Sequence, residues 1–223
     1  MKAKKTILIV AAMLLVAALS IGGTLAYLTS KTEVVKNTFT IGDVEITLAE
    51  TSVADEGKGI LAGEEVKDEN NKFVGFKYHI LPGLKYDKEP VVTVVADSED
   101  CYVRAFITID KRAEFDKLFA ANKLTMANVL DFNTTNWTAL ERTIKGDDNT
   151  RTYEVRYKAK VENNAEDQAL EALFTTLTVP ESIDNEQLAS IAGFSVSIYA
   201  QAIQADGFAS ADEAFAALPE FGK

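Results

Sequence analysis

The sequence is poor in the residues from which most enzyme sites are built. In 223 residues there is one cysteine, one histidine and one tryptophan. With Cys101 alone, an intramolecular disulfide is excluded; the residue opens a strand-like run and reads as a small buried apolar side chain. Any Ser-His-Asp triad or histidine metal site would have to be built around His79, which lies between Tyr78 and Ile80 on what reads as the outward face of a strand. No H-E-x-x-H, G-x-S-x-G, P-loop or G-x-G-x-x-G pattern occurs. Positive charge is also in deficit: 23 Lys and Arg stand against 34 Asp and Glu, a formal net charge of −11. Such a surface repels nucleic acid and anionic membranes, which argues against both as partners. The acidic clusters Asp97-Ser98-Glu99-Asp100 and Asp147-Asp148 lack the glycine turn and spaced ligands of a calcium loop and read as turns between strands. The expectation is a non-enzyme without cofactor or metal.

The one long apolar run lies at the N-terminus. Lys2, Lys4 and Lys5 precede Ile7–Ile21, Gly22 and Gly23 end the run, and Thr24-Leu25-Ala26 places small residues at the −3 and −1 positions of a cleavage site. This is the layout of a secretory signal peptide, residues 1–26, cut between Ala26 and Tyr27. Ala18-Leu19-Ser20 is a second candidate cut. A transmembrane anchor is the alternative, but about 15 apolar residues fall short of the roughly 20 that span a bilayer, and no stop-transfer charges follow. Cleavage removes three lysines and takes the net charge from −11 to −14. The remaining chain is long enough for one domain with a core of its own.

That remainder reads mostly as strands. Tyr153, Val155, Tyr157, Ala159 and Val161 alternate with Glu154, Arg156, Lys158 and Lys160, the period of a strand with one buried face. Cys101, Val103, Ala105, Ile107 and Ile109 form a second such face, and Phe194, Val196, Ile198, Ala200 and Ala202 a third. Val91–Val95 reads as a strand starting after Pro90, and Phe76–Ile80 as a short strand closed by Pro82-Gly83. In the first strand the apolar phase flips between Phe39/Ile41 and Val44/Ile46/Leu48, which a β-bulge at Gly42-Asp43 accommodates, a tight turn being the alternative. Phe115, Leu118 and Phe119 mark a helix near 112–122. Ser210 and Glu213 form a capping box for a last helix with Ala214, Phe215 and Leu218 on its apolar face and Pro219 as its stop. Polar loops are read around 50–71 and 145–150. Trp137 reads as core, and the sequons at Asn133 and Asn136 as incidental. Leu218–Gly222 departs from a sortase signal by Phe221 where threonine is needed. Many short strands with polar loops indicate an all-β protein, an antiparallel sandwich or barrel with a few short helices.

Gly22-Gly23-Thr24-Leu25-Ala26-Tyr27-Leu28-Thr29, followed by Asn37-Thr38-Phe39-Thr40-Ile41-Gly42-Asp43-Val44-Glu45-Ile46, resembles proteins with a SipW-dependent type of signal peptide, the TasA/camelysin family. Leu81-Pro82-Gly83 resembles the family's turn before its next strand, and Tyr199–Phe208 through Ala214 the ending of clostridial-type members. The resemblance implies an antiparallel jelly-roll-like β-sandwich spanning 39–223 behind a cleavable signal helix. It implies secretion to the surface of a Gram-positive-type bacterium and processing by a dedicated signal peptidase, with membrane contact only through the uncleaved signal. On the TasA side it implies biofilm matrix fibres in which an extended segment, residues 27–38 with Tyr27, Leu28, Val34 and Val35 as its apolar content, adds as a strand to another copy or a related matrix subunit. An adhesive or ligand-binding surface module is the alternative. The camelysin side implies a surface metallopeptidase, for which no motif is present.

The secreted protein is expected to begin at Tyr27. N-terminal sequencing of the protein from culture medium and from cells reads this directly, and a chain found only with the cells and with its N-terminus intact would replace the signal peptide with an anchor.

Overall fold

A run of alternating residues through the middle of the chain organises the fold. In the computed structural model, which describes residues 44–55, 57, 59–142 and 149–218, β5 (Lys85–Asp87) and β6 (Glu89–Val94) follow each other with a break only at Lys88. Their even positions Tyr86, Lys88, Pro90, Val92 and Val94 are all buried. One side of this run is paired by β1 (Ile46–Thr51), in register Ile46 with Val94 through Thr51 with Glu89. β2 (Ile60–Leu61) runs parallel to β5. The other side is paired by the short strands β10 (Gln168–Ala169) and β11 (Thr176–Thr178).

The second large sheet has the order β12-β7-β9-β8. At its centre β7 (Cys101–Ile109) pairs with β9 (Arg151–Tyr157) on one side and β12 (Val196–Gln204) on the other, and β8 (Trp137–Arg142) closes the far edge. Every ladder among the described residues is antiparallel except β2–β5. β3 (Glu64–Lys67) and β4 (Phe73–Lys77) form a separate hairpin. The chain is thus mostly strands in antiparallel sheets with a few short helices.

Both large sheets share one hydrophobic core. Val103, Ala105, Ile107 and Ile109 from β7 meet Val92 and Val94 from β6, all at most 2% exposed. Helix α1 (Arg112–Asn122) adds Phe115, Leu118 and Phe119. Trp137 is buried, and its indole N–H donates to Glu171 O at 2.8 Å, so the one polar atom on that ring is satisfied. Cys101 is a buried free thiol, its pKa pushed up to about 11 by burial, with Asp100 adding to the shift. A second helix, α2 (Asn185–Ser190), starts at Asp184, whose side chain accepts from Gln187 N–H while the Gln187 side chain accepts from Asp184 N–H. The last, α3 (Ala211–Ala216), is capped by Ser210, and Glu213 reaches back to Ala209 N–H rather than to Ser210.

Several expectations need correction. The strand expected over 153–161 stops at Tyr157, and Ala159 is exposed. Its expected polar outer face is covered at Glu154, which is 4% exposed, and Thr152 on the same strand is 1% exposed. The cover includes α3: Phe215 lies over the guanidinium groups of Arg104 and Arg156 at 4.6 and 5.2 Å. Arg104 Nη1 sits 3.4 Å from Glu154 Oε1 and Arg156 Nε 2.6 Å from it, while Arg156 also pairs with Asp212. β6 begins before Pro90, where the ladder needs no donor from that residue: its carbonyl accepts from Leu173 N–H at 3.0 Å. Tyr78, His79 and Ile80 lie past the end of β4. The expected loop at 50–71 contains β2 and β3. The strand piece 39–43 with its bulge, the signal peptide, Asp147-Asp148 and Pro219 lie outside the described residues.

Replacing Phe215 by Ala removes the cover from a buried ion pair and empties its site, at a cost of about 3 kcal/mol. Urea denaturation monitored by Trp137 fluorescence measures this; a loss below about 1 kcal/mol would mean that α3 contributes little to closing that face.

Candidate functional site

The core is not closed all round. β1 and β12 each have a single strand partner among the described residues and so present a free edge. Register places Leu48 opposite Val92 and Glu50 opposite Pro90, which directs both toward the core. The same reasoning directs Val196 and Ile198 inward, opposite Ile109 and Ile107. Yet Leu48 is 38% exposed, and Val196 and Ile198 are only half-buried. Inner-face side chains therefore line an open groove of about 860 Å³ at this edge, with Phe194 at one end and the β3–β4 hairpin along one side.

The hairpin presents apolar side chains that a solvated ribbon has no need of. Val66, Phe73 and Val74 are 38, 40 and 59% exposed and line the groove. Phe73, Phe76, Tyr78 and Tyr86 form a chain of rings with centroids 5.0, 6.4 and 5.8 Å apart, leading from the hairpin to the core. At its base Ser52 Oγ accepts from Gly63 N–H at 2.7 Å and donates to Asp87 O at 3.1 Å. Tyr78 OH donates to the same carbonyl at 2.6 Å. Gly63 is required by space: a Cβ there would lie 2.7 Å from the Tyr78 ring and 2.8 Å from Phe76 Cβ.

Within this apolar lining sits one ion pair. Lys88 occupies an inward position of the β5–β6 run, is 7% exposed, and its Nζ is 2.5 Å from Glu50 Oε2. Glu50 Oε1 is buried and has no hydrogen-bond partner among the described residues. The Tyr78 phenol nearby has its pKa pushed up to about 12, chiefly by burial, with the Glu50 and Asp87 carboxylates acting in the same direction.

The other residues singled out in the sequence have structural roles. His79 is exposed, and its carbonyl accepts from Tyr86 OH at 2.9 Å. In the Asp97–Asp100 turn, Asp97 has a positive φ of 61°. Asp100 pairs with Lys160, which holds its carboxyl below the usual range, and accepts from Asn163 N–H. Ser98 is buried and accepts from Glu45 N–H, fixing the approach to β1. Asn133 spends its amide on Ala172 O and Asn136 N–H. Among the described residues no three His, Cys, Asp or Glu side chains converge as metal ligands, and no helix is long and apolar enough to cross a membrane. The cleavage pair Ala26 and Tyr27 and the assembly residues Leu28, Val34 and Val35 lie outside the described residues. Glu50 and Lys88 were not singled out from the sequence; the signal available was Lys88 interrupting the even-numbered row Tyr86, Pro90, Val92, Val94.

Fold and site together define an all-β protein with an apolar groove at the open edge of its core. Neither a protein-family model nor a curated protein matches the chain.

The raised Tyr78 pKa has a definite sign. Below pH 10 the phenol is neutral both folded and unfolded and the shift has no effect; between pH 10 and about 12 the unfolded chain ionises first, so stability falls as pH rises. Stability measured by urea across this window is expected to fall less steeply in Tyr78→Phe than in the unchanged protein. Equal slopes would show that Tyr78 ionises normally.

Proposed function

We propose that this chain is an exported structural subunit of a bacterial cell surface or biofilm extracellular matrix, without enzymatic activity, which assembles by strand donation. In this reading the domain is a jelly-roll-like β-sandwich of the TasA/camelysin kind. A dedicated signal peptidase cuts at Ala26/Tyr27, and the freed segment 27–38 of one copy, or of a related matrix subunit, enters the groove of another. The observation that carries the reading is the open edge itself: inward-facing Leu48, Val196 and Ile198 remain partly exposed beside two strands that each have one strand partner among the described residues. An added strand satisfies backbone groups along an edge and covers apolar side chains in the same step. Bilayer contact is confined to the uncleaved signal, and the acidic surface leaves no role for nucleic acid.

The groove's volume also favours a second reading, a ligand-binding or adhesive surface module, since about 860 Å³ lies in the range of small-molecule sites. The two differ in their products. Strand donation gives polymers that require residues 27–36, whereas a binding module remains monomeric and retains ligand. Electron microscopy of the chain starting at Tyr27 is expected to show fibres, and the chain lacking residues 27–36 to show none. Fibres that persist unchanged after the deletion would rule strand donation out.

A further inference from the structure

The groove has a polar centre whose hydrogen-bonding capacity is only partly used among the described residues. On the inner face of β5–β6, Tyr86, Pro90, Val92 and Val94 are joined by one charge, Lys88. Among the described residues its ammonium donates to Glu50 Oε2 alone, although an ammonium carries three N–H donors. The second oxygen, Glu50 Oε1, is buried without a partner among the same residues. Two apolar residues would fill these positions at no loss of stability, and often with a gain. An acceptor left without a donor in a low-dielectric site adds a further cost. The best-attested use of such a buried polar pair is to fix register and partner.

The chemistry narrows the occupant. A group that meets Oε1 must donate, and one that meets an ammonium N–H must accept. A hydroxyl does both with one atom. A carboxylate would be repelled by Glu50, and a methyl would leave both groups unmet. In residues 27–38 read as a strand, the even positions share one face. They run Leu28, Ser30, Thr32, Val34: two hydroxyls between two aliphatic side chains. Leu28 and Val34 would lie about 20 Å apart in extended chain, one residue step more than the ends of the six-residue β1. The groove's lining likewise combines apolar side chains with the Glu50–Lys88 pair.

We infer that Glu50 and Lys88 form a hydroxyl-recognising subsite that takes the Ser30–Thr32 pair of a second copy and thereby sets the register of the incoming strand. This rests on the strand-donation reading. The odd face of the segment, with Tyr27, Thr29, Lys31, Glu33 and Val35, then points away from the pair. A slip by one residue would bring Lys31 or Glu33 over the pair and turn Leu28 and Val34 out of the groove.

The test uses the chain starting at Tyr27 in five forms: unchanged, lacking residues 27–36, Ser30→Ala/Thr32→Val, Glu50→Leu/Lys88→Met, and the last two pairs combined. Each is scored by the critical concentration for polymer in sedimentation, with electron microscopy of the pellet. Ser30→Ala/Thr32→Val is expected to raise the critical concentration at least tenfold in the unchanged groove, and by less than twofold when Glu50 and Lys88 are also replaced. An equal rise in both grooves, or none in the unchanged groove, would overturn the subsite. If the deletion abolishes polymer while Ser30→Ala/Thr32→Val assembles normally, only the subsite falls. If the deletion has no effect, strand donation falls and the subsite with it. Ser30 and Thr32 precede the compact unit Val44–Lys223, so the comparison of the unchanged chain with Ser30→Ala/Thr32→Val decides even if the groove variants fail to fold.

Discussion

Arg104 sits where a sheet of this kind tolerates a cation least, in the middle of a central strand at 6% exposure, and the outer half of the molecule is built to satisfy it. A guanidinium cannot shed its charge in a protein, so burial has to be met by partners in its plane and on its faces. Gln201 on β12 accepts from Nε at 2.9 Å, and Glu154 on β9 supplies the carboxylate. Phe106 and Phe215 cover the guanidinium at 4.9 and 4.6 Å. Each partner comes from a different element. The charge therefore ties β12, β7, β9 and α3 together, and Arg156 extends the tie by sharing Glu154 and reaching Asp212 on α3. Removing Glu154 would leave the buried Arg104 without its carboxylate, the most costly single loss in the network.

The groove contains the opposite kind of polar pair. Around Arg104 the carboxylate, the amide and the aromatic faces are all engaged. At the open edge, Lys88 and Glu50 are engaged with each other and Glu50 Oε1 with nothing among the described residues. A structural network gains by completeness, because every unmet group subtracts from stability. A site awaiting a partner has to keep some capacity in reserve and tolerate that cost until it is filled. The hairpin beside the groove follows the same pattern. Its rings are anchored into the core through Tyr78 and Tyr86, while Phe73 and Val74 at its outer end remain exposed.

How much of this could be read from the sequence depends on the range of the interactions. Period-two alternation found β7 and β12 with their inward faces, and three apolar residues at helical spacing found α1 with its observed ends. These signals are local and survive without tertiary context. The capping box found the start of α3 for the same reason. It did not reveal that α3 lies on β9, so Glu154 read as solvent-facing. Burial of a charge depends on an element 56 residues away, the span from Arg156 to Asp212, and nothing local encodes it. β2, β10 and β11 have two or three residues each, too few to show a period. The Asp184–Gln187 box of α2 was legible and passed over. The groove was illegible as a site, because its residues read individually as ordinary strand positions. Only the register of β1 against β6 shows that Leu48 and Glu50 face inward, and only the structure shows that Leu48 is left 38% exposed there.

A core edge left partly exposed among the described residues is a hazard for a β-rich chain, because strand edges with apolar side chains attract extended segments. The sequence counters this with charge. At a formal net charge of −11, copies repel one another, but that repulsion is screened beyond about 10 Å at 0.1 M salt. It slows indiscriminate encounters without opposing contacts made at close range. Selectivity then has to come from the groove, and apolar walls alone do not supply it, since a one-residue slip costs them little in a segment with only four apolar side chains. A single polar pair with unmet capacity does supply it, because the wrong register buries a charge or a methyl group against it. The costly pair and the sparse hydrophobicity of the proposed donor segment are thus two sides of one arrangement: the weaker the apolar contribution to binding, the more the register depends on Glu50 and Lys88.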